Sequence, residues 1–177
     1  MSRKRFLPIV GVFYLLVALS IASAESEITE TKLLGNDGAV IGSLKIQKAS
    51  GGVLINLKAE SLKPGRHGMH FHQIGNCEDH AGFKNAKGHI APDNAPHGFL
   101  HSKGPHAGNL PNLIVASDGK IEVELYSNLV SYDAGDSALL DEDGSALIIH
   151  QNQDDHITQP IGGSGPRVAC GVLERKS

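Results

Sequence analysis

His70 and His72 stand one residue apart in Gly68-Met69-His70-Phe71-His72. On a strand, an i, i+2 spacing turns both imidazoles to one face and leaves Met69 and Phe71 on the other. Two nitrogen donors preset side by side suit a metal ion, and a third imidazole, His150, closes the apolar run Ala146-Leu147-Ile148-Ile149 at a second strand end. Directly after the first pair comes a stretch without strand rhythm, Gln73 to Pro111, which holds His80, His89, His97, His101 and His106 together with Cys77. Its 39 residues far exceed an ordinary connection, and a loop of that length is either functional or disordered. Five imidazoles decide for function: a loop without an apolar core of its own can be pinned by metal bonds and a disulfide. Imidazole suits copper and zinc alike, and four nitrogens in a tetragonal array favour copper(II). Two cysteines are too few for a zinc ribbon or an iron-sulfur cluster.

The elements that must carry these groups read as strands. Val53, Ile55, Leu57 and Ala59 alternate with Leu54, Asn56, Lys58 and Glu60, and Ile121, Val123 and Leu125 alternate with Glu122 and Glu124. Period two predicts strands with one face buried. Turn signals recur between such runs: Asn36-Asp37-Gly38, Ser50-Gly51-Gly52, Lys63-Pro64-Gly65, Ser117-Asp118-Gly119 and Asp141-Glu142-Asp143-Gly144. With 21 Gly, 8 Pro and no Trp in 177 residues, the pattern predicts one all-β domain, an antiparallel sandwich or barrel with long loops, and excludes a helical bundle. A second, shorter interruption runs from Gln151 to Pro166. No internal repeat or second domain is visible.

Arg3, Lys4 and Arg5 precede an apolar run from Phe6 to Ala22 that ends in Ala22-Ser23-Ala24. This reads as a secretory signal over residues 1–24, with a mature domain over 25–177 and no stable membrane anchor after cleavage; an uncleaved anchor is the competing reading. Removing the signal takes three of the 16 basic and none of the 19 acidic side chains, moving the net charge from −3 to −6. Nothing there resembles the basic excess that a nucleic-acid partner requires. Export, to the periplasm or beyond, also means an oxidising compartment in which Cys77 and Cys170 can pair.

Taken in order, several segments resemble copper,zinc superoxide dismutases of the bacterial periplasmic kind. They are Gly68-Met69-His70-Phe71-His72, Gly88-His89, Pro96-His97-Gly98, Gly104-Pro105-His106-Ala107-Gly108, Asp143 through His150, Asp154-Asp155, and Gly165 through Val172. The five-residue step from His72 to Cys77 and the segment Gln159 to Gly163 point to the bacterial branch. The resemblance implies a Greek-key β-sandwich or flattened barrel with long metal-binding loops. It implies copper held by His70, His72, His89 and His150, and zinc held by His89, His97 and His106, with the His89 imidazolate bridging the two. It further implies Asp154 linking a copper histidine to a zinc histidine, a Cys77–Cys170 disulfide, Arg167 attracting the anion beside copper, and superoxide as substrate. His67, His80 and His156 match no ligand position and read as ordinary polar residues.

One position departs from the pattern. Asn109 stands where the family places a zinc-binding aspartate, so the fourth zinc bond should be weak or absent, with His101 or Asp93 as competing donors and His101 also competing with His97. A non-catalytic exported copper or zinc carrier could use the same histidines, and a hydrolytic metal site is a weaker third reading. Monomer and homodimer are both compatible with the sequence.

Overall fold

The computed structural model describes residues 27–175; the segment read as a secretory signal lies outside them. Among the described residues no helix is long and apolar enough to cross a membrane. The described residues form nine strands and one short 3-10 turn, Lys84–Ala86. Strands β1 (Ile28–Gly35), β2 (Val40–Ala49), β3 (Gly52–Ala59), β5 (Met69–His72), β7 (Ile121–Ser127), β8 (Ser145–His150) and β9 (Arg167–Leu173) form one antiparallel sheet in the order β5-β8-β9-β1-β2-β3-β7. Strands β4 (Gly65–His67) and β6 (Leu113–Val115) pair separately. A long antiparallel sheet of right-twisted strands curls on itself, and this one closes as a half-barrel around its apolar face.

The alternation read from the sequence is the alternation observed. Val53, Ile55, Leu57 and Ala59 are buried, and Ile121, Val123 and Leu125 are half-buried against the same core while Glu122 and Glu124 face outward. Asp37 and Asp118 each accept the backbone N–H two residues on, from Ala39 and Lys120, which is why Asn36-Asp37-Gly38 and Ser117-Asp118-Gly119 turn the chain where they do.

Two clusters lie on opposite sides of β8. Leu147 and Ile149 pack into the main core with Met69, Phe71, Leu33, Leu44 and Leu57, side chains whose full burial contributes about 1.5–3 kcal/mol each. Ala146 and Ile148 point the other way, against Cys77, Phe83, Ala86 and Cys170. His70 and His72 pair with Ile148 and Ala146, so the histidine face of β5 is the outer face. The i, i+2 spacing places the two histidines on one face and says nothing of its burial. In the structure both faces are closed, because the long loop lies over the outer one: all four residues of β5 are buried.

That loop is tied to the free edge of β5. Phe71 donates its N–H to Gly108 O at 2.9 Å and accepts from Ile90 N–H at 3.0 Å, while Gln73 N–H bonds Gly88 O at 3.0 Å. A Cβ at residue 108 would sit 2.3 Å from Phe71 O, so glycine alone permits this approach. The edge of the sheet is thereby satisfied by loop backbone, and His89, His106 and Asn109 are delivered beside His70 and His72. At its start the loop is bonded to β9 by the Cys77–Cys170 disulfide. Thiol titration of the denatured, unreduced protein should find no free thiol; two would refute the bridge.

Candidate metal centre

Strand geometry sets the first three histidines. His70 and His72 project from β5, and His150 ends β8 opposite Arg167, where β9 carries an extra residue, so that Ile149 pairs with Ala169 and His150 with Arg167. Such a bulge re-aims side chains at the rim of a sheet. The loop adds His89, and one ligating nitrogen from each of His70, His72, His89 and His150 lies within 4.8 Å of the others. A second group, His89, His97 and His106, meets the same criterion and shares His89 with the first.

Which nitrogen faces inward follows from what the other one does. His72 Nδ1–H donates to Lys87 O at 2.8 Å, His150 Nδ1–H to Gly165 O at 3.0 Å, and His70 Nε2–H to Asp154 Oδ2 at 2.7 Å. Their remaining nitrogens, His72 Nε2, His150 Nε2 and His70 Nδ1, are buried with no hydrogen-bond partner, and so is His89 Nε2. Four buried imidazole nitrogens left without a partner are costly unless an electrophile takes them, and nitrogen donors of this number suit copper. His89 offers its other nitrogen, Nδ1, to the second group, 3.1 Å from His106 Nδ1. The donor sets fit copper at the first group and zinc at the second, and His89 belongs to both groups.

Asp154 is fully buried behind both groups. Oδ2 accepts from His70 and Oδ1 accepts from His97 Nε2–H at 3.0 Å, fixing the tautomer of one histidine in each group. Burial alone would raise its pKa, but the His70 and His97 donors, with the His156 backbone N–H, hold it well below the usual carboxylate range. The histidines shift the other way. Burial pushes His72 well below the ordinary imidazole value and lowers His70 against the pull of Asp154. Burial and then repulsion from His70 and His72 depress His89, and burial with repulsion from His70 brings His150 down to about 3. His106 is lowered by burial and by His97. Neutral imidazole is the form that ligates.

Asn109 is buried in the second group, its Nδ2 3.2 Å from His97 Nδ1 and its Oδ1 accepting Gly98 N–H at 3.4 Å. The competing donors lie elsewhere: His101 Nδ1 accepts from Lys103 N–H and Asp93 Oδ1 from Ala95 N–H, both at exposed bonds, and neither joins a metal group among the described residues. Arg167 donates its two Nη groups to Phe83 O and Lys87 O, so it shares the Lys87 carbonyl with His72. Burial lowers its pKa, and Asp79 opposes that.

Several positioning groups escape a sequence reading. Gln159 clasps the His97 backbone, accepting its N–H at 2.8 Å and donating to its carbonyl at 2.9 Å. His67, read as an ordinary polar residue, is buried with Nδ1 2.7 Å from His150 O and Nε2 2.7 Å from Lys63 O. His156 lies against Asp154. Only Gln159 had a signal in the sequence, the Gln-Pro segment inside the second interruption.

The chain is similar to known proteins over most of its described length. Residues 40–173 match the family model described as copper/zinc superoxide dismutase. The Superoxide dismutase [Cu-Zn] of Caulobacter vibrioides is 45% identical over 141 residues, covering 78% of this chain and 80% of that one. One from Aquifex aeolicus is 36% identical over 160 residues, covering 89% and 93%. Among solved structures, a superoxide dismutase-like protein from Bacillus subtilis superposes with a TM-score of 0.78 at 39% identity, over 81% of this chain and 97% of that one. The Cu/Zn superoxide dismutase from Brucella abortus superposes with 0.69 at 28% identity, over 84% and 100%.

Proposed function

The chain belongs to the copper/zinc superoxide dismutase family, and from that premise we propose that it dismutes superoxide at the two-metal centre just described. His70, His72, His89 and His150 hold copper, His89, His97 and His106 hold zinc, and the His89 imidazole is common to both. The observation that carries this is the set of four buried, unpartnered nitrogens, one of them on a histidine whose second nitrogen faces the other group. When bound, copper supplies a one-electron couple and zinc a fixed charge, so that one superoxide leaves as dioxygen and a second, with that electron and two protons, leaves as hydrogen peroxide. When it is not ligating copper, His89 Nε2 would be the atom to hold one of those protons. Asp154 keeps His70 and His97 in the tautomers that leave Nδ1 free. Residues 1–24 act as a secretory signal, residues 25–177 form the mature domain, and the protein works in the periplasm or outside the cell.

Metal analysis together with superoxide-dependent turnover tests the reading on copper- and zinc-reconstituted protein: stoichiometric copper with turnover supports it, and stoichiometric copper without turnover would make the protein a carrier.

Arg167 captures the anion by charge. Its guanidinium is fixed by two backbone carbonyls, and after burial its charge is among the groups that lower the pKa of His72 and His150. Arg167→Ala should lower the second-order rate with superoxide while copper content stays the same. Arg167→Glu should lower it further, by about tenfold or more, the lower end of what electrostatic steering supplies. Salt should slow the wild type as the field is screened to ~8 Å at physiological ionic strength. Wild-type turnover by Arg167→Glu at low salt would show that the charge is not used.

A further inference from the structure

The Asp154 carboxylate is pinned from a third side. Each of its oxygens carries one metal-group histidine and one contact from His156: Oδ1 accepts the His156 backbone N–H at 2.7 Å, and Oδ2 lies 3.5 Å from His156 Nδ1. That ring nitrogen is buried and has no hydrogen-bond partner. Its proton can be placed. Asn112 Oδ1 accepts the Asp154 N–H at 2.8 Å, and a backbone N–H can only donate, so the Asn112 amide nitrogen is the group that meets Asp154 O at 2.8 Å and His156 Nε2 at 3.1 Å. Nε2 therefore accepts, and the neutral ring carries its hydrogen on Nδ1, facing Asp154.

The backbone holds His156 there at a cost. It adopts φ 61, a left-handed conformation that costs any residue other than glycine some strain, although histidine enters it more readily than most. Its carbonyl accepts Leu100 N–H at 2.9 Å, and the Phe99 ring lies 5.2 Å from the imidazole, centroid to centroid. A Cβ at Gly98 would come within 2.0 Å of His156 O. His156 thus joins the loop that carries His97 to the loop that carries Asp154.

We propose that His156 is a positioning residue for both metals: through Nδ1–H and its backbone N–H it sets the rotation of the Asp154 carboxylate, and through that the orientation of His70 and His97. The χ2 torsion of an aspartate is broad, so a carboxylate that must serve two imidazoles at once needs outside pins. This rests on the metal assignment proposed above.

Two substitutions separate the ring from the backbone. Glycine and asparagine both tolerate the left-handed conformation, but only asparagine places an N–H donor where Nδ1 stands. His156→Gly should weaken zinc in chelator competition by about tenfold, the low end for a group that orients a metal ligand, and should shift the copper(II) electron paramagnetic resonance spectrum. His156→Asn should stay close to wild type in both readouts. His156→Gly with wild-type zinc affinity and spectrum would overturn the proposal. So would equal losses in the two variants, which would leave His156 a packing role only. Failure of the wild-type protein itself to take up copper and zinc would instead overturn the metal assignment.

Discussion

The metal-free protein should lose stability progressively as the pH falls from about 6.5, well before its carboxylates titrate. Five of the clustered histidines, His70, His72, His89, His106 and His150, have folded pKa values below the ordinary imidazole value of 6.5, chiefly because burial penalises their charged forms. In the unfolded chain the same side chains take up protons near pH 6.5. For a depressed pKa, the stabilisation is whole above the unfolded value and is lost as the pH drops toward the folded one. Within that window each such histidine contributes a slope of about 1.4 kcal/mol per pH unit. His150, with a folded value of about 3, stays inside the window across the whole range from 6.5 to 4.5, and alone removes roughly 2 to 3 kcal/mol. Against a domain stability of about 5–15 kcal/mol, the loss from His150 alone is a sizeable share, and the other four histidines act in the same direction. Bound metals occupy the same nitrogens and should push the transition to lower pH. Circular-dichroism melts at pH 7 and pH 4.5, with and without metals, read this directly. Equal melting temperatures at the two pH values for the metal-free form would show that these imidazoles are not held neutral by the fold.

That cluster also marks how far the residues alone could carry the reading. The strands at 53–59 and 121–125 were legible because one face of each is buried and the alternation shows it. The pairing of His70 with His72 was legible for the same reason, since period two applies wherever a strand runs. Burial of those two histidines was not, because it is produced by Gly88, Ile90 and Gly108 hydrogen-bonding the edge of β5 from within a loop that has almost no periodic pattern. Resemblance to a family supplied Asp154 and the ligand roles; no local feature of Asp154-Asp155 separates a buried pin from a solvated acidic pair. The roles of His156 and Asn112 were out of reach by either route. Their work depends on two loops, about 40 residues apart in the chain, approaching until backbone groups of one meet side chains of the other, and short-range patterns do not encode such an approach.

The resemblance places an aspartate where this chain has Asn109, and the geometry around Asn109 bears on zinc binding. Asp154 holds the proton of His97 on Nε2, so His97 Nδ1 presents a lone pair, and the Asn109 amide nitrogen, 3.2 Å away, caps it. Zinc must displace that donor, and the amide then offers only a neutral oxygen in place of an anion. An aspartate reverses both terms. Without zinc its oxygens face the His97 lone pair and repel it; with zinc they supply negative charge to a divalent ion otherwise met by imidazoles. Asn109→Asp should therefore raise zinc affinity by about a hundredfold, the upper end of what even indirect ligand partners are worth. It should leave copper affinity nearly unchanged, since His70, His72 and His150 are untouched. It should lower the melting temperature of the metal-free protein and raise that of the zinc-loaded one, an inversion that a general change in packing would not produce. Chelator competition and paired melts give the two readouts. Because His101 and Asp93 lie outside the zinc group, His101→Ala and Asp93→Ala should keep zinc as tightly as the wild type. Equal zinc affinity for the wild type and Asn109→Asp, with zinc released by either alanine variant, would mean that a loop movement brings one of those groups in as the fourth ligand.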